Sequence, residues 1–250
     1  MSNVSKVRSA RNRGGASHKA AGRHSTLGSR LTDTAYERVK RDILECVLVP
    51  GAEVTERLLR DRYAIGKAPL REALVRLGHE GLVQSVPRSG YRVTPVTIQD
   101  VQDIFALRLL LEPAAARLAA GRIDERLLAR LNEPCLTGYV PGDRASESAF
   151  LRANREFHAA IANASGNRRL ARVLQQLLEG TERLFHMGLA VRDRTEEMKH
   201  EHQALMNALI DADGDAASRA TVDQIEAART MVMDGILAAP WLKQVAVSRW

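Results

Sequence analysis

From Tyr36 onward, apolar residues recur at helical spacing with charges between them: Tyr36, Val39, Ile43, Cys46 and Val47. Pro50-Gly51 ends that helix. Thr55 is placed to cap a second, short helix that has Glu56 in its first turn and runs to about Tyr63. Ala64-Ile65-Gly66 makes a tight connection to a third helix, whose Leu70, Ala73, Leu74 and Leu77 share one face and which stops between Gly78 and Gly81. Residues 82–86 and 91–94 then predict two short strands joined by Pro87-Arg88-Ser89-Gly90. Helix, helix, turn, helix, hairpin is the order of a winged helix-turn-helix.

Pro95 marks a boundary, and beyond it every periodic segment predicts a helix: near 98–120, 124–132, 146–164, 168–188, 195–211 and 215–237. Asn132, Pro134, Gly138, Pro141 and Gly142 predict a loop over 132–144. The fold class is therefore mainly α. A winged helix-turn-helix over 33–95 precedes an all-helical antiparallel bundle over 96–240, large enough to hold a cavity, and 241–250 form a short C-terminal tail.

Composition narrows the function classes. The 250 residues are 45% hydrophobic and 27% charged, ordinary for a globular protein, while aromatics are only 4%, against an aromatic-rich sandwich or barrel. No apolar run reaches membrane-spanning length, and no apolar segment follows the first methionine, so neither a membrane nor secretion is expected. Cys46 and Cys135 stand far apart without a CxxC partner, which excludes a disulfide scaffold and suits a reducing cytoplasm. The net charge of +7 belongs to the N-terminus, where Lys6, Arg8, Arg11, Arg13, Lys19, Arg23 and Arg30 occur without an acid; the rest is formally neutral. Residues 1–32, rich in Gly, Ser, Ala and Arg, are expected to be a disordered basic tail. It reads as an arm along a phosphate backbone, as a solvated tail, or, least well, as a transit peptide.

Candidate chemistry falls at two ends. Lys67 and Arg71 lie one turn apart at the start of the third helix, the end that enters the major groove in this motif. Arg76 follows on the same helix, Arg57 precedes on the second, and Arg88 and Arg92 flank the wing tip; such residues neutralise phosphates or pair with guanine. A solvated charged helix with Glu72 and Glu80 as partners is the plainer alternative. In the bundle, Asn154 and His158 fall on the apolar stripe of Phe150, Phe157 and Ile161. His202 shares a stripe with Met198, Leu205 and Leu209, and Gln224 a face with Ile225, Ala228 and Met231. Inward polar groups on three helices need one another, water, a metal or a ligand. Arg108 lies on an otherwise apolar helix, one turn before Glu112; it reads either as a fork for a ligand carboxylate or as a structural pair with Glu112. Arg183 is a further ligand-binding candidate on the 168–188 helix. No nucleophile motif and no phosphate-cradling glycine loop is present, so an enzyme is not expected.

Several runs carry a resemblance. Ala35-Tyr36-Glu37-Arg38, Val49-Pro50-Gly51, Lys67-Ala68-Pro69-Leu70-Arg71-Glu72-Ala73-Leu74, Leu77, Glu80-Gly81-Leu82-Val83 and Gly90 resemble the N-terminal domain of the GntR family of bacterial transcription regulators. Leu107-Arg108 with Leu111-Glu112, the run Asn154 to Asn167, Glu201 to Leu205 and the Gly214-Asp215 turn resemble the helical ligand-binding domain of its FadR-type branch, called FCD. The resemblance implies that Arg57, Lys67, Ala68, Arg71, Arg76, Arg88, Ser89 and Gly90 form the DNA-binding face. It implies a homodimer on a palindromic operator, acting as a repressor in the bacterial cytoplasm at the nucleoid, with a small carboxylate metabolite as effector. Many members of this branch hold a divalent metal, such as Zn or Ni, with one Asp and three His. Here His158 and His202 match two of these positions, Asn154 stands where Asp is usual, and Gln224 where the last His is expected. The family's Ser-Arg-Thr-Pro is replaced by Gly66-Lys67-Ala68-Pro69, which removes two hydroxyls that would bond phosphate. The readings set beside this one are a metal-dependent hydrolase at Asn154, His158 and His202, and a DNA-binding scaffold that senses nothing.

Overall fold

A computed structural model describes residues 17–189 and 193–238. Among these residues nine α-helices and three short strands form a winged helix-turn-helix followed by a helical bundle. α1 spans Ser17–Leu44. Its Ala35, Tyr36, Val39 and Ile43 are buried and start the core of the N-terminal domain. The expected disordered tail is thus corrected over 17–32, where the chain is helical. That stretch holds no proline, so a helix nucleated on the buried stripe propagates backward through it despite Gly22 and Gly28. The rest of the tail, 1–16, and the C-terminal tail lie outside the described residues. Cys46 and Val47 also fall beyond α1, because Cys46 takes a left-handed φ of 52° that ends it.

α2 (Glu56–Tyr63) starts where Thr55 accepts the Leu58 N–H, as its N-cap should. The turn passes through Ala64 at φ 52°, and α3 (Lys67–His79) follows with Leu70, Ala73, Leu74 and Leu77 buried against α1. Asp42 of α1 accepts from Tyr63 Oη at 2.7 Å and Arg62 Nε at 3.1 Å, which pins α2 in place. The wing is β2 (Val83–Val86) and β3 (Gly90–Val93), paired antiparallel with Val83 opposite Val93. A strand that periodicity did not reveal, β1 (Glu53–Val54), pairs with the other edge of β3 and gives the order β1-β3-β2. Gly90 is needed here: its φ is 113°, and a Cβ would stand 2.7 Å from the Val54 carbonyl oxygen.

The bundle comprises α4 (Ile98–Ala119), α5 (Glu125–Thr137), α6 (Arg144–Ala164), α7 (Arg168–Leu189), α8 (Thr195–Ile210) and α9 (Gly214–Ala238). The starts of α4 to α7 carry local signals: a capping box between Thr97 and Asp100, Asp124 and Asp143 as caps, and Asn167 accepting from two amides of α7. The expected loop over 132–144 shrinks to 138–143, because α5 continues through Pro134 to Thr137. Pro134 removes one backbone bond, and burial of Leu128, Asn132 and Cys135 on one side of the helix outweighs that loss. α7 and α9 meet backbone to backbone, since a Cβ on Gly235 would lie 2.6 Å from Gly188 Cα.

α7 also joins the two domains. Lys40 of α1 reaches Glu179 at 2.9 Å and Glu80 at 3.2 Å. Arg183 donates to the Thr94 carbonyl at 2.5 Å, and Arg144 of α6 to the Cys46 carbonyl at 3.3 Å.

Candidate functional site

The DNA-reading candidates divide into two groups. Arg57, Lys67, Ala68, Arg71, Arg88 and Ser89 are exposed, and Gly90 shapes the wing beside them. Arg71 Nε is held by Glu56 Oε1 at 2.7 Å, which raises its pKa and parks the guanidinium beside the N-terminus of α2. Arg76 is elsewhere: its guanidinium stacks 3.5 Å over the Tyr36 ring and lies 3.6 Å from both Asp33 and Glu80. It is five residues beyond Arg71, more than a full helical turn, and so points to α1 rather than along the free ridge of α3.

Within the bundle, Arg108, Asn154, His158, His202 and Gln224 line one cavity of about 20 Å³, room for a single water molecule. Phe185, Met198, Ala228 and Met231 supply its apolar wall. The sixth expected position, Arg183, is not among them. α7 turns Phe185 into the cavity and Arg183, two residues earlier, toward the interdomain linker. Arg108 is 3% exposed and forms a two-pronged pair with Glu112, 5% exposed, at 2.5 and 3.3 Å. The pairing foreseen as structural is thus present, yet Arg108 Nη1 has no partner and belongs to a side chain lining the cavity. Arg194 and Glu201 form an ion pair at the rim, and Gln224 Nε2 donates to the Glu201 carbonyl at 2.5 Å, leaving Gln224 Oε1 without a partner.

His202 lies stacked on Phe157, with ring centroids 4.4 Å apart, and is clamped between two carboxamides. Its Nδ1 is 2.7 Å from Asn132 Oδ1 and its Nε2 is 3.0 Å from Asn154 Oδ1. Sequence reasoning missed Asn132, because the nearby Pro134 disguised the helix that carries it. Burial, with the Arg108 cation beside it, brings the pKa of His158 down to about 3; burial, with His158 adjacent, does the same for His202. Both rings are neutral at neutral pH. His158 nonetheless keeps some accessible surface and lines the cavity.

The pKa shifts have a consequence for stability. His186, also buried, is lowered to about 4. Between these values and the ordinary 6.5 the unfolded chain binds protons that the folded chain refuses, so stability is full above about pH 6.5 and falls on acidification. Each histidine contributes about 1.4 kcal/mol per pH unit in that window. The raised carboxyls of Glu182 and Glu201 offset part of this. Urea midpoints measured at pH 7 and pH 5 are expected to drop, and His186→Asn is expected to shallow the slope; equal midpoints would contradict the burial argument.

The positions where a divalent cation would be held offer two imidazoles and two carboxamides. Among the described residues no three His, Cys, Asp or Glu side chains converge as a metal would require. The acids nearest the cavity, Glu112 and Glu201, are already engaged by arginines, and both nitrogens of His202 are taken. This donor set does not fit a divalent metal.

Comparison with known proteins agrees with the architecture. The FCD domain pattern matches residues 103–227, and the pattern of bacterial regulatory proteins of the gntR family matches residues 31–93. The chain is 33% identical to the HTH-type transcriptional repressor GlaR of Escherichia coli K12, over 73% of this chain and 87% of that protein. It is 25% identical to the repressor RspR of the same strain, over 76% and 84%. The fold superposes on that of E. coli McbR/YncC with a TM-score of 0.69 at 21% identity, covering 82% of this chain and 97% of the other.

Proposed function

The chain belongs to the GntR family of bacterial transcriptional regulators, with an FCD domain as its second module, and we propose that it is a homodimeric, ligand-responsive repressor. In this reading the free ridge of α3 enters the major groove of an operator half-site, and the wing lies along the flanking backbone. Two-fold symmetry then requires a palindromic operator with half-sites about one helical turn apart. The dimer face is the exposed apolar stripe of α4, where Leu107, Leu110 and Leu118 are 45, 71 and 42% exposed. The regulator works on DNA in the cytoplasm, and no helix among the described residues is long and apolar enough to cross a membrane.

The observation that carries the reading is the course of α7. The helix lines the cavity with Phe185, holds the linker with Arg183 and holds the DNA-binding domain with Glu179. Glu179 shares Lys40 with Glu80, at the C-terminal end of α3. The cavity holds little more than one water, so an organic acid enters only if the helices around it shift. A shift of α7 changes both ties to the DNA-binding domain. Ligand thus favours one arrangement of that domain over another and changes operator affinity by the difference.

The test is a mobility-shift titration on the DNA upstream of the chain's own gene, with and without small carboxylic acids. Salt-sensitive binding that prefers this DNA to random duplex, and that one acid weakens, is the expected result. Equal binding to all duplexes refutes the reading. Lys40→Ala is expected to keep operator binding in the absence of acid while reducing the acid's effect by about threefold or more. An undiminished response in that variant would remove α7 as the link.

A further inference from the structure

The disagreement between this cavity and a metal site leads further, on the premise that the bundle is a sensor. A neutral imidazole has one N–H and one lone pair, yet His202 has a carboxamide against each nitrogen. No free anion stands near to support an imidazolium, since Glu112 and Glu201 are bound to Arg108 and Arg194. One carboxamide therefore presents oxygen to the ring N–H and the other presents N–H to the lone pair. The shorter contact, at 2.7 Å, makes Asn132 Oδ1 the acceptor from Nδ1–H; the Asn154 carboxamide, whose Oδ1 stands 3.0 Å from Nε2, must then be turned half a revolution about its Cβ–Cγ bond so that its N–H donates to Nε2. His202 Nε2 is the atom a cation would need.

We propose that the sensor cavity takes its ligand without a metal ion, the Asn154 carboxamide standing on His202 Nε2 in the cation's place. A divalent ion here would displace Asn154 and bring two positive charges beside Arg108 and Arg194, with no unpaired carboxylate to meet them. The polar ends of a ligand have other partners. Arg108 Nη1 is a free donor and Gln224 Oε1 a free acceptor, on side chains only 3 and 6% exposed. Together they match a small molecule that carries both an acceptor oxygen and a hydroxyl or N–H donor.

The test titrates Ni²⁺ and Zn²⁺ into dialysed full-length protein by calorimetry, with melting curves in and out of EDTA. The wild type is expected to bind neither ion at His202 and to melt at the same temperature with EDTA. Asn154→Asp with Gln224→His supplies the missing anion and third imidazole, and is expected to take up one equivalent per protomer with affinity increased on the order of a hundredfold or more. Asn154→Asp alone, which changes least, is expected to show a smaller gain. One equivalent bound by the wild type and lost in His202→Ala overturns the proposal; metal that persists in His202→Ala sits elsewhere and leaves it standing. A folded double variant, verified by circular dichroism, that gains no metal also overturns it. Neither outcome touches operator recognition or the response to an organic acid, so the sensor reading stands or falls separately.

Discussion

Arg108→Ala is expected to destabilise the bundle by about 3–5 kcal/mol, measured by urea denaturation followed by circular dichroism. That is a large share of the roughly 5–15 kcal/mol that holds a domain together. The size follows from what is left behind. Glu112 accepts both prongs of the Arg108 fork and is 5% exposed, so removing the arginine leaves a carboxylate in the core with no counter-charge. The Phe105 and Phe185 rings, 5.1 and 5.7 Å from the guanidinium, lose their cation as well. Arg108→Met combined with Glu112→Met removes both charges and fills similar volume, and is expected to recover most of the loss. The pair of variants separates the two roles open for Arg108. If its work is purely structural, the double variant is stable and still responds to the organic acid. If Arg108 Nη1 holds the ligand, the double variant is stable and unresponsive. A single variant as stable as the wild type would refute the pair itself.

The parts of this architecture that were legible in the sequence are those written in local signals. Thr55 and the apolar stripe of α3 place α2 and α3 to within a residue or two, because caps and helical periodicity act over short spans, whereas α1 stops at Leu44, ahead of the breaker Pro50-Gly51, where Cys46 turns left-handed. β1 was invisible, since its two residues form a strand only by pairing with β3, nearly forty residues away. The inward aim of Asn154, His158, His202 and Gln224 was legible as polar residues on apolar stripes. The aim of Arg183 was not: the polar face of α7 is set by Arg168, Arg172, Gln175 and Gln176, whereas from Thr181 to Leu189 every residue is buried, Glu182, Arg183 and His186 included, so the pattern does not tell which neighbour each polar side chain meets. Asn132 was lost because Pro134 is a breaker by composition, whereas here tertiary packing overrides it. His202 could be recognised as inward, but whether its Nε2 was free depended on a partner from another helix, which no pattern within α8 encodes.

Lys67→Ala combined with Arg71→Ala is expected to reduce operator affinity by a factor of about 10² to 10⁴ while leaving the fold unchanged, as measured by mobility shift and thermal melting. Both side chains are exposed and neither contributes to the core of the N-terminal domain, which rests on Leu70, Ala73, Leu74 and Leu77 from the other face of α3. The two single variants should differ in kind. Lys67 is a flexible point charge, so its loss should weaken binding to all duplexes alike and lower the salt dependence by about one ion. Arg71 carries a planar fork that can read guanine, so its loss should also relax sequence preference. In the free protein that fork is engaged by Glu56, and the pair must open before Arg71 reaches a base. Glu56→Gln removes the competing carboxylate and is therefore expected to hold operator affinity level or raise it. A fall in affinity with Glu56→Gln would mean that the pair aims Arg71 at the groove rather than restraining it, and that the free ridge of α3 is set up by α2.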